Sequence, residues 1–499
     1  MQPALWVGFA LLMASALIGF KALPPRTAAL LVFFGGWLFA PVGVFPAGSS
    51  QAGESGHPFW ILGSALPSDM ALHKAWLVPC AVLLGALVFD RAALRRFRPS
   101  WFDAPVLLWC AWPLVQSLLF VNEPRPEGAL ASLYLLGTWG LTWFIGRVYC
   151  SGADGLHALA RALALSGLAC LPFAIAEGVA GAQTYGWLFE PHPFRHDGNE
   201  RYLGWRPLGF FENGNQYGLW ISLCALVAAW WAWSRGETGR RWRVVAWVVI
   251  AMAAAAQSIG GVMLALLGAV VLWLSSRLRP RRMVAGALAA ALVVSAVYVS
   301  GVVPVARIAN DTTLGRAVVG VIKSVGRGSF TWRIAQDQRA LPLAMAHPLA
   351  GTGQWDWWRS QPSRPWGLAM LVLGQFGLIG AALSASVLLL PAARVAWIAP
   401  RGDPRAPQAL SWLLAVVVLL SMLDAVLNSF VFFPAVMIAA ALVTRNTEMG
   451  AEERARRGTM QGAKRSDAQR HREHSQRRSA PRIVRAAASI SVLRVTRVC

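Results

Sequence analysis

The sequence predicts an all-α polytopic integral membrane protein with about 12–13 transmembrane helices. Of its 499 residues, 56% are hydrophobic and only 14% are charged, and the mean hydropathy is +0.49. Soluble domains carry about 25% charged residues. The charged residues here are confined to short stretches between long apolar runs. A bilayer favours this segregation, because each unpaired polar group in hydrocarbon costs several kcal/mol.

Thirteen apolar runs are candidates for crossing a bilayer, for which a helix needs about 17–25 residues. They lie at 4–20, 28–45, 75–89, 104–121, 129–148, 158–180, 216–233, 244–256, 260–276, 284–303, 367–392, 409–423 and 425–443. The first run has no basic residue before it and no clear small-residue cleavage site, which favours a retained helix over a cleaved signal.

Along the chain, basic short connections alternate with short connections that have no excess of basic residues. Four connections are basic: DRAALRRFRPS, SRGETGRRWR, RLRPRRM and ARVAWIAPRGDPRA. With thirteen spans, the positive-inside rule places all four, and the basic C-terminal tail, on the cytoplasmic side. This placement accounts for the net charge of +23 without nucleic acid as a partner. The six cysteines show no paired spacing, so neither a metal site nor a disulfide framework is predicted.

The chain divides into six parts. They are the N-terminal transmembrane helices (1–180), a first long outer loop (181–215), central transmembrane helices (216–303), a large outer loop (304–366), C-terminal transmembrane helices (367–443) and a basic, disordered cytoplasmic tail (444–499). Loops longer than about 15 residues usually have a function. The large loop has three aspartates against eight basic residues, an excess that suits an anionic ligand: Arg307, Arg316, Lys323, Arg327, Arg333, Arg339, Arg359 and Arg364.

The first long loop ends in the motif WRPLGFFENGNQYGLW, residues 205–220. The planar guanidinium of Arg206 suits bidentate contact with a phosphate at the membrane surface. Asn213 and Asn215 can cap the helix that follows. An alternative interpretation stays open, in which Arg206 only anchors the loop to lipid headgroups and the asparagines only cap.

The large loop contains GRGSFTWRIAQDQRALPLAMAHPLAGTGQWDWW, residues 326–358. We expect a helix to begin at Ser329, with Arg333 on its first turn, and to end at His347-Pro348. The tryptophans near its end, Trp355 among them, either anchor at the membrane interface or stack on sugar rings. His347 is either a structural residue before a proline or a catalytic base.

Two further patterns lie in the last transmembrane helices. Gly374, Gly377 and Gly380 form a small-residue stripe, which favours close helix packing in a membrane. Asp424 and Asn428 are one helical turn apart, and the sequence suggests that they form a polar pair within the membrane.

Taken in order, these motifs resemble the O-antigen ligase and O-antigen polymerase family of bacterial envelope glycosyltransferases. The resemblance rests on RPLGFFENGN before a helix, SIGGVMLALLG, a large loop with a Trp-Arg helix and HPLAGTG, and then GQFGLIG. It covers residues 206–390 in detail. It implies a GT-C-like helical bundle in the bacterial inner membrane, with two long periplasmic loops and an active periplasmic face.

The resemblance also implies an activity and its site. Such an enzyme transfers or polymerises a glycan from an undecaprenyl-diphosphate-linked donor to a glycan or lipid A-core acceptor, inverting and without a metal or other cofactor. Arg206 and Arg333 would hold the diphosphate. Further substrate-binding candidates are Asn213, Asn215, Trp332, Trp355 and Trp366.

One position departs from the family. Its ligases commonly carry a His-Asn pair eleven residues before the glycine that corresponds to Gly377, where this chain has Trp366-Gly367. His347 and Asp356 are therefore the candidates for the catalytic base. Two other functions stay open: a transporter or flippase of lipid-linked oligosaccharide, and an inactive scaffold for envelope assembly. A flippase should show charges inside the bundle and two pseudo-symmetric halves, neither of which is evident in the sequence.

Overall fold

The computed structural model describes residues 3–43, 73–120, 127–181, 184–189, 200–201, 203–234, 239–300, 311–324, 328–354, 357–358, 365–399, 407–426, 428 and 430–443. The predicted tail (444–499) lies outside these residues, as do Trp355 and Asp356. The described part is mainly helical. It contains one antiparallel hairpin of two-residue strands, in which β1 (Glu200–Arg201) pairs with β2 (Gly204–Trp205), and an isolated antiparallel bridge between Gly43 and His73.

The helices of the N-terminal part are α1 (Pro3–Ala22), α2 (Pro25–Phe39), α3 (Lys74–Phe89), α4 (Arg91–Arg95), α5 (Ala104–Leu119), α6 (Glu127–Leu135), α7 (Leu141–Tyr149), α8 (Gly152–Ala169), α9 (Leu171–Ala180) and α10 (Thr184–Leu188). A 3-10 turn at Trp101–Asp103 precedes α5, and a π-helical turn at Leu136–Gly140 joins α6 to α7.

The helices of the C-terminal part are α11 (Gly214–Ser234), α12 (Arg240–Ala255), α13 (Ile259–Leu274), α14 (Pro280–Ser300), α15 (Thr313–Ser324), α16 (Gly328–Ala344), α17 (Leu368–Ile398), α18 (Pro407–Ala425) and α19 (Phe433–Ala441).

Six helical stretches among the described residues are long and apolar enough to cross a membrane, and some of them join consecutive helices named above. They are Pro3–Ala22, Trp101–Leu119, Gly128–Tyr149, Gly152–Ala180, Gly214–Ser234 and Leu368–Ile398. Four shorter apolar helices accompany them, at Pro25–Phe39, Lys74–Phe89, Ile259–Leu274 and Ala409–Ala425. The predicted class, an all-α membrane protein, is confirmed. Each of the thirteen predicted runs overlaps a helix, and the number that cross a membrane stays a prediction.

Helix α11 lies at the centre of the bundle, and its contact with α13 depends on small residues. A Cβ on Gly218 would lie 2.0 Å from the Cβ of Ser258, and a Cβ on Gly261 would lie 2.6 Å from the carbonyl oxygen of Gly218. Neither position can take a side chain without moving the two helices apart. The SIGGVMLALLG motif is therefore the packing surface that brings α13 onto α11.

The bundle has two chemically different ends. At one end Arg147 pairs with Asp103 (2.9 Å) and donates to the carbonyl of Val443, just after α19. The guanidinium of Arg394 lies over Phe102 at the same end. We call this the basic end, because the basic stretch of residues 91–98 lies here.

The other end of α19, where the helix begins, has different neighbouring side chains. The ring of Phe433 lies 5.9 Å from that of Trp37, which is also 5.2 Å from the ammonium of Lys74. Lys74 donates to the carbonyl of Phe210, in the first long loop. We call this the loop end, because residues of both long loops lie here.

Helix α17 is interrupted at Gly377, which has φ +68° and ψ −172°. The turn at residues 348–353 pairs with the interruption. Thr352 and Gly353 donate to the carbonyls of Gly374 and Gln375, while the amide of Leu378 donates to Pro348. These hydrogen bonds satisfy backbone groups that the break in the helix frees.

The predicted glycine stripe on α17 consequently has two roles. Gly374 allows Trp357 to approach the helix, since a Cβ there would lie 2.0 Å from the indole ring, and Gly380 faces Trp112 at 3.1 Å. Gly380 serves packing between two helices, as predicted, whereas Gly374 accommodates a side chain of the large loop. Gly377 differs, because its backbone has a left-handed φ that breaks the helix.

Candidate functional site

Arg206 is buried at the loop end, with 6% of its surface exposed. Its Nε donates to the carbonyl of Ala256 (3.1 Å), in the connection between α12 and α13, and its Nη2 donates to Oδ1 of Asn215 (3.0 Å). Neither of these two acceptors carries a charge, so these contacts orient the guanidinium without neutralising it.

The start of α11 is built around this side chain. Asn213 caps the helix, since its Oδ1 accepts from the amides of Asn215 and Gln216, both at 3.0 Å. The predicted cap is confirmed for Asn213. Asn215 instead orients Arg206. Gly214 is required between them, because a Cβ there would lie 2.3 Å from Nε of Arg206.

A buried carboxylate that the sequence reasoning missed holds the same loop. Glu177, on α9, accepts at Oε1 from the amide and hydroxyl of Thr184 (3.0 and 2.5 Å). Its Oε2 accepts from the amides of Leu208 and Gly209 (2.5 and 2.8 Å). Its only sequence signal is a single acidic residue near the end of an apolar run.

A fully buried cation approaches the loop from another helix. Lys74 is the first residue of α3 and is 0% exposed. Its ammonium donates to the carbonyls of Trp37 (3.1 Å) and Phe210 (2.6 Å) and lies 5.5 Å from the ring of Phe211. Like Glu177, Lys74 is not among the residues that the sequence motifs single out.

The second arginine cluster combines α16 with the segment before α17. Nη1 of Arg333 donates to Oδ1 of Asn428 (2.6 Å), and its Cζ lies 5.6 Å from the ring of Trp366. The ring of Trp366 also lies 5.3 Å from that of Trp332. Trp332, Arg333 and Trp366, three of the predicted substrate-binding residues, are therefore brought together. Trp332 is the more exposed tryptophan, which leaves its ring accessible.

Two aspartates support this cluster. Asp337 accepts from the amides of Trp366 (2.6 Å) and Gly367 (3.2 Å), which joins α16 to the start of α17. Burial raises the pKa of Asp337, although these two amides and the nearby Arg333 act in the opposite direction. Asp424 accepts from Nδ2 of Asn428 (2.8 Å), so the two residues form the predicted polar pair, while its placement within a membrane stays a prediction.

The predicted helix around Arg333 is present with shifted ends. It runs from Gly328 to Ala344, so Arg333 lies on the second turn rather than the first, and the helix ends before His347. The side chain of His347 is exposed, and its carbonyl accepts from the amide of Gly351 (2.8 Å) in the turn that meets α17. The other candidate base, Asp356, lies outside the described residues, as does Trp355.

The segment between α18 and α19 connects the two clusters. Asn428 holds Arg333, and four residues later the ring of Phe432 lies 5.6 Å from that of Trp220, on α11. Four residues of chain span at most about 14 Å. Trp220 in turn lies 6.1 Å from Phe211, in the loop of Arg206. Both predicted arginines therefore belong to the same end of the bundle.

The described residues contain no group of three or more His, Cys, Asp or Glu side chains that could hold a metal ion. What the loop end offers is a set of fixed cations, amides and indole rings. Such a set suits a ligand that carries both negative charge and hydroxyl groups or rings.

No family model matches this chain, and no curated protein matches it either. The resemblance to the O-antigen ligase and polymerase family therefore rests on the quoted motifs and their order.

Proposed function

We propose that this chain is a membrane glycosyltransferase that transfers or polymerises a glycan from an undecaprenyl-diphosphate-linked donor on the periplasmic face of the bacterial inner membrane. The observation that carries the proposal is the placement of Arg206 and Arg333. They come from the two long loops, belong to the same end of an all-helical bundle, and are oriented there by amide and carbonyl oxygens.

The charge of the basic end supports the proposed periplasmic placement of the loop end. Short loops rich in Lys and Arg remain on the cytoplasmic side, and the basic end carries such a stretch at residues 91–98. Alkaline-phosphatase fusions test this orientation. A fusion at Ser360 should be active and one at Gly450 inactive, and the reverse pattern would contradict it.

The proposed chemistry uses the arginines as fixed charges. When the bond between the sugar and the diphosphate breaks, the leaving group gains negative charge, which two preorganised guanidinium groups stabilise. The acceptor hydroxyl attacks the anomeric carbon from the opposite side and transfers its proton to a base. His347 and Asp356 are the candidates for that base. A growing glycan or a lipid A-core would serve as the acceptor.

The test is the fate of the donor in cells. The double variant Arg206→Ala/Arg333→Ala should accumulate undecaprenyl-linked glycan and lose long surface glycan at a matched protein level. Arg95→Ala, which removes an exposed arginine from the basic end, is the matched control and should behave as wild type. Full activity of the double variant would contradict the proposal.

A second candidate function is a flippase for lipid-linked oligosaccharide, which the broken helix α17 favours. Interrupted helices often form the substrate site of transporters. The two functions differ in what purified protein does in vesicles. A flippase moves a lipid-linked oligosaccharide between leaflets without forming a glycosidic bond, whereas the proposed enzyme lengthens or transfers the glycan.

A further inference from the structure

We propose that Glu177 is a positioning residue for Arg206, that Lys74 shares this role, and that the two buried charges together set the affinity of the loop end for a lipid-linked diphosphate. This inference rests on the proposed function, because it assumes that Arg206 binds the diphosphate. It concerns two residues that lie on the bundle helices α9 and α3 rather than on the two long loops.

The geometry around Glu177 is that of a carboxylate fully engaged by donors. It is 4% exposed and accepts four hydrogen bonds, two from Thr184 and one each from the amides of Leu208 and Gly209. Leu208 is two residues after Arg206. From its position on α9, Glu177 therefore fixes the backbone next to Arg206.

Lys74 fixes the next residue of the same segment from a different helix, α3. Its ammonium donates to the carbonyl of Phe210, while Glu177 receives the amides of the two residues before it. A buried anion thus binds successive N–H groups, and a buried cation binds the carbonyl that follows. Charge-assisted hydrogen bonds of this kind are stronger than neutral ones.

The other end of the segment is fixed by α11. Asn213 caps that helix, and the guanidinium of Arg206 lies over Gly214, held by Asn215. Arg206 must therefore keep its own backbone in register with the start of α11. The intervening residues 207–212 set that register, and Glu177 and Lys74 hold them. The two charges act on Arg206 through the backbone of this segment.

The sharpest variant is Glu177→Gln, which keeps the size of the side chain. Glutamine offers one neutral acceptor oxygen in place of two charged ones and turns an NH2 group towards one pair of donors. The amides of Leu208 and Gly209 therefore either lose their acceptor or keep a weaker, uncharged one. Asp103→Asn is the matched control. Asp103 is equally buried, at 5% exposure, and accepts from Trp143, Arg147 and Ser100 at the basic end.

Two measurements on the full-length protein in nanodiscs test the inference. The first is hydrogen–deuterium exchange, in which the amides of Leu208 and Gly209 should exchange about 10-fold faster or more in Glu177→Gln and unchanged in Asp103→Asn. The second is the affinity for undecaprenyl diphosphate, which Glu177→Gln should weaken by about 10-fold. In Arg206→Ala the further change Glu177→Gln should weaken it little, because the two residues then share one effect. If Glu177→Gln fails to accumulate, Thr184→Val, which removes one donor, should give the same pattern with smaller changes.

The outcomes separate this inference from the proposed function. Unchanged exchange at Leu208 and Gly209 would overturn the role of Glu177 in holding the loop. Faster exchange with fully additive losses of affinity would overturn its link to Arg206. An Arg206→Ala variant that binds undecaprenyl diphosphate as wild type does would instead overturn the proposed function, and with it that link, whereas the exchange result would still report on the loop.

Discussion

The two arginine clusters at the loop end hold their guanidinium groups in different ways. Arg206 is buried in a non-helical segment that three helices hold through Glu177, Lys74 and the cap of α11. Arg333 is half-buried on helix α16, and its contacts include Asn428, between α18 and α19, and Trp366, just before α17. The first cluster is part of the bundle, whereas the second depends on how a loop helix docks against it. We therefore expect the first to be the more rigid and the more sensitive to substitution.

The largest effect is expected for Arg206→Ala. Loss of a charge-assisted hydrogen bond costs about 1.5–3 kcal/mol, which corresponds to a fall in turnover of about 10- to 150-fold if the contact is made in the transition state. Lysine should restore less activity at position 206 than at position 333. At 206 both Nε and Nη2 already have separate acceptors, and an ammonium cannot reach both in that geometry. The measurement is the rate of glycan transfer in membranes at matched protein levels.

This prediction also separates substrate binding from simple anchoring. A residue that only contacts lipid headgroups would function equally well as lysine. Equal and complete rescue by lysine at both positions would contradict the comparison between the clusters.

A smaller effect is expected for Asn428→Ala. The asparagine receives Arg333 at Oδ1 and donates to Asp424, so its loss removes the oriented partner but leaves the arginine on α16. Activity should fall by less than in Arg333→Ala, for which we expect about 10-fold, the lower part of the range for a charged hydrogen bond. The same transfer assay measures it. An Asn428→Ala variant less active than Arg206→Ala would show that the second cluster is the more sensitive to substitution.

Gly214→Ala tests the first cluster without touching its charge. The added methyl would meet the guanidinium of Arg206 and should displace it, so activity should fall, though less than in Arg206→Ala. Gly320→Ala is the control, since nothing lies within 4 Å of a Cβ there and alanine favours a helix by about 1 kcal/mol over glycine. Its activity should equal that of wild type. Undiminished activity of Gly214→Ala would show that the arginine does not need its observed position.

The smallest expected effect is on pH dependence at Asp337. Because burial raises the pKa of this carboxyl, it binds a proton more readily in the folded protein than in the unfolded chain. Its contribution to stability is present below the ordinary aspartate pKa of about 3.9 and is lost as the pH rises through the raised value. Relative to Asp337→Asn, wild type should therefore gain stability as the pH is lowered from neutrality towards 4. Thermal unfolding of the two proteins across that range measures the difference. A loss of wild-type stability relative to Asp337→Asn as the pH is lowered would contradict the prediction.

The fold could be predicted because lipid imposes a composition that any reader of the sequence can see. Apolar runs located the helices, and turn chemistry located the cap at Asn213. The residues that hold the site could not be found in this way. Glu177 is a single acidic residue in an apolar run and Lys74 immediately precedes another run, and their partners are 31 and 136 residues away in the chain. No local spacing encodes such a contact.

The break in α17 was missed for a different reason. Three glycines at regular spacing suit close packing equally well whether or not the helix is continuous. Only the backbone of Gly377, at φ +68°, and its partners in the turn after His347 separate the two cases. The motif HPLAGTG and the motif GQFGLIG are therefore one structural unit, although the sequence suggested separate roles for them.

The most direct test of the account is the binding of undecaprenyl diphosphate to the purified protein in nanodiscs. Wild type should bind it more tightly than undecaprenol, which lacks the charge, and Arg206→Ala and Arg333→Ala should each weaken binding by about 10-fold or more. Arg95→Ala should bind as wild type does. If wild type and the double arginine variant bind the diphosphate equally well, the two clusters do not form a diphosphate site, and the central claim is wrong.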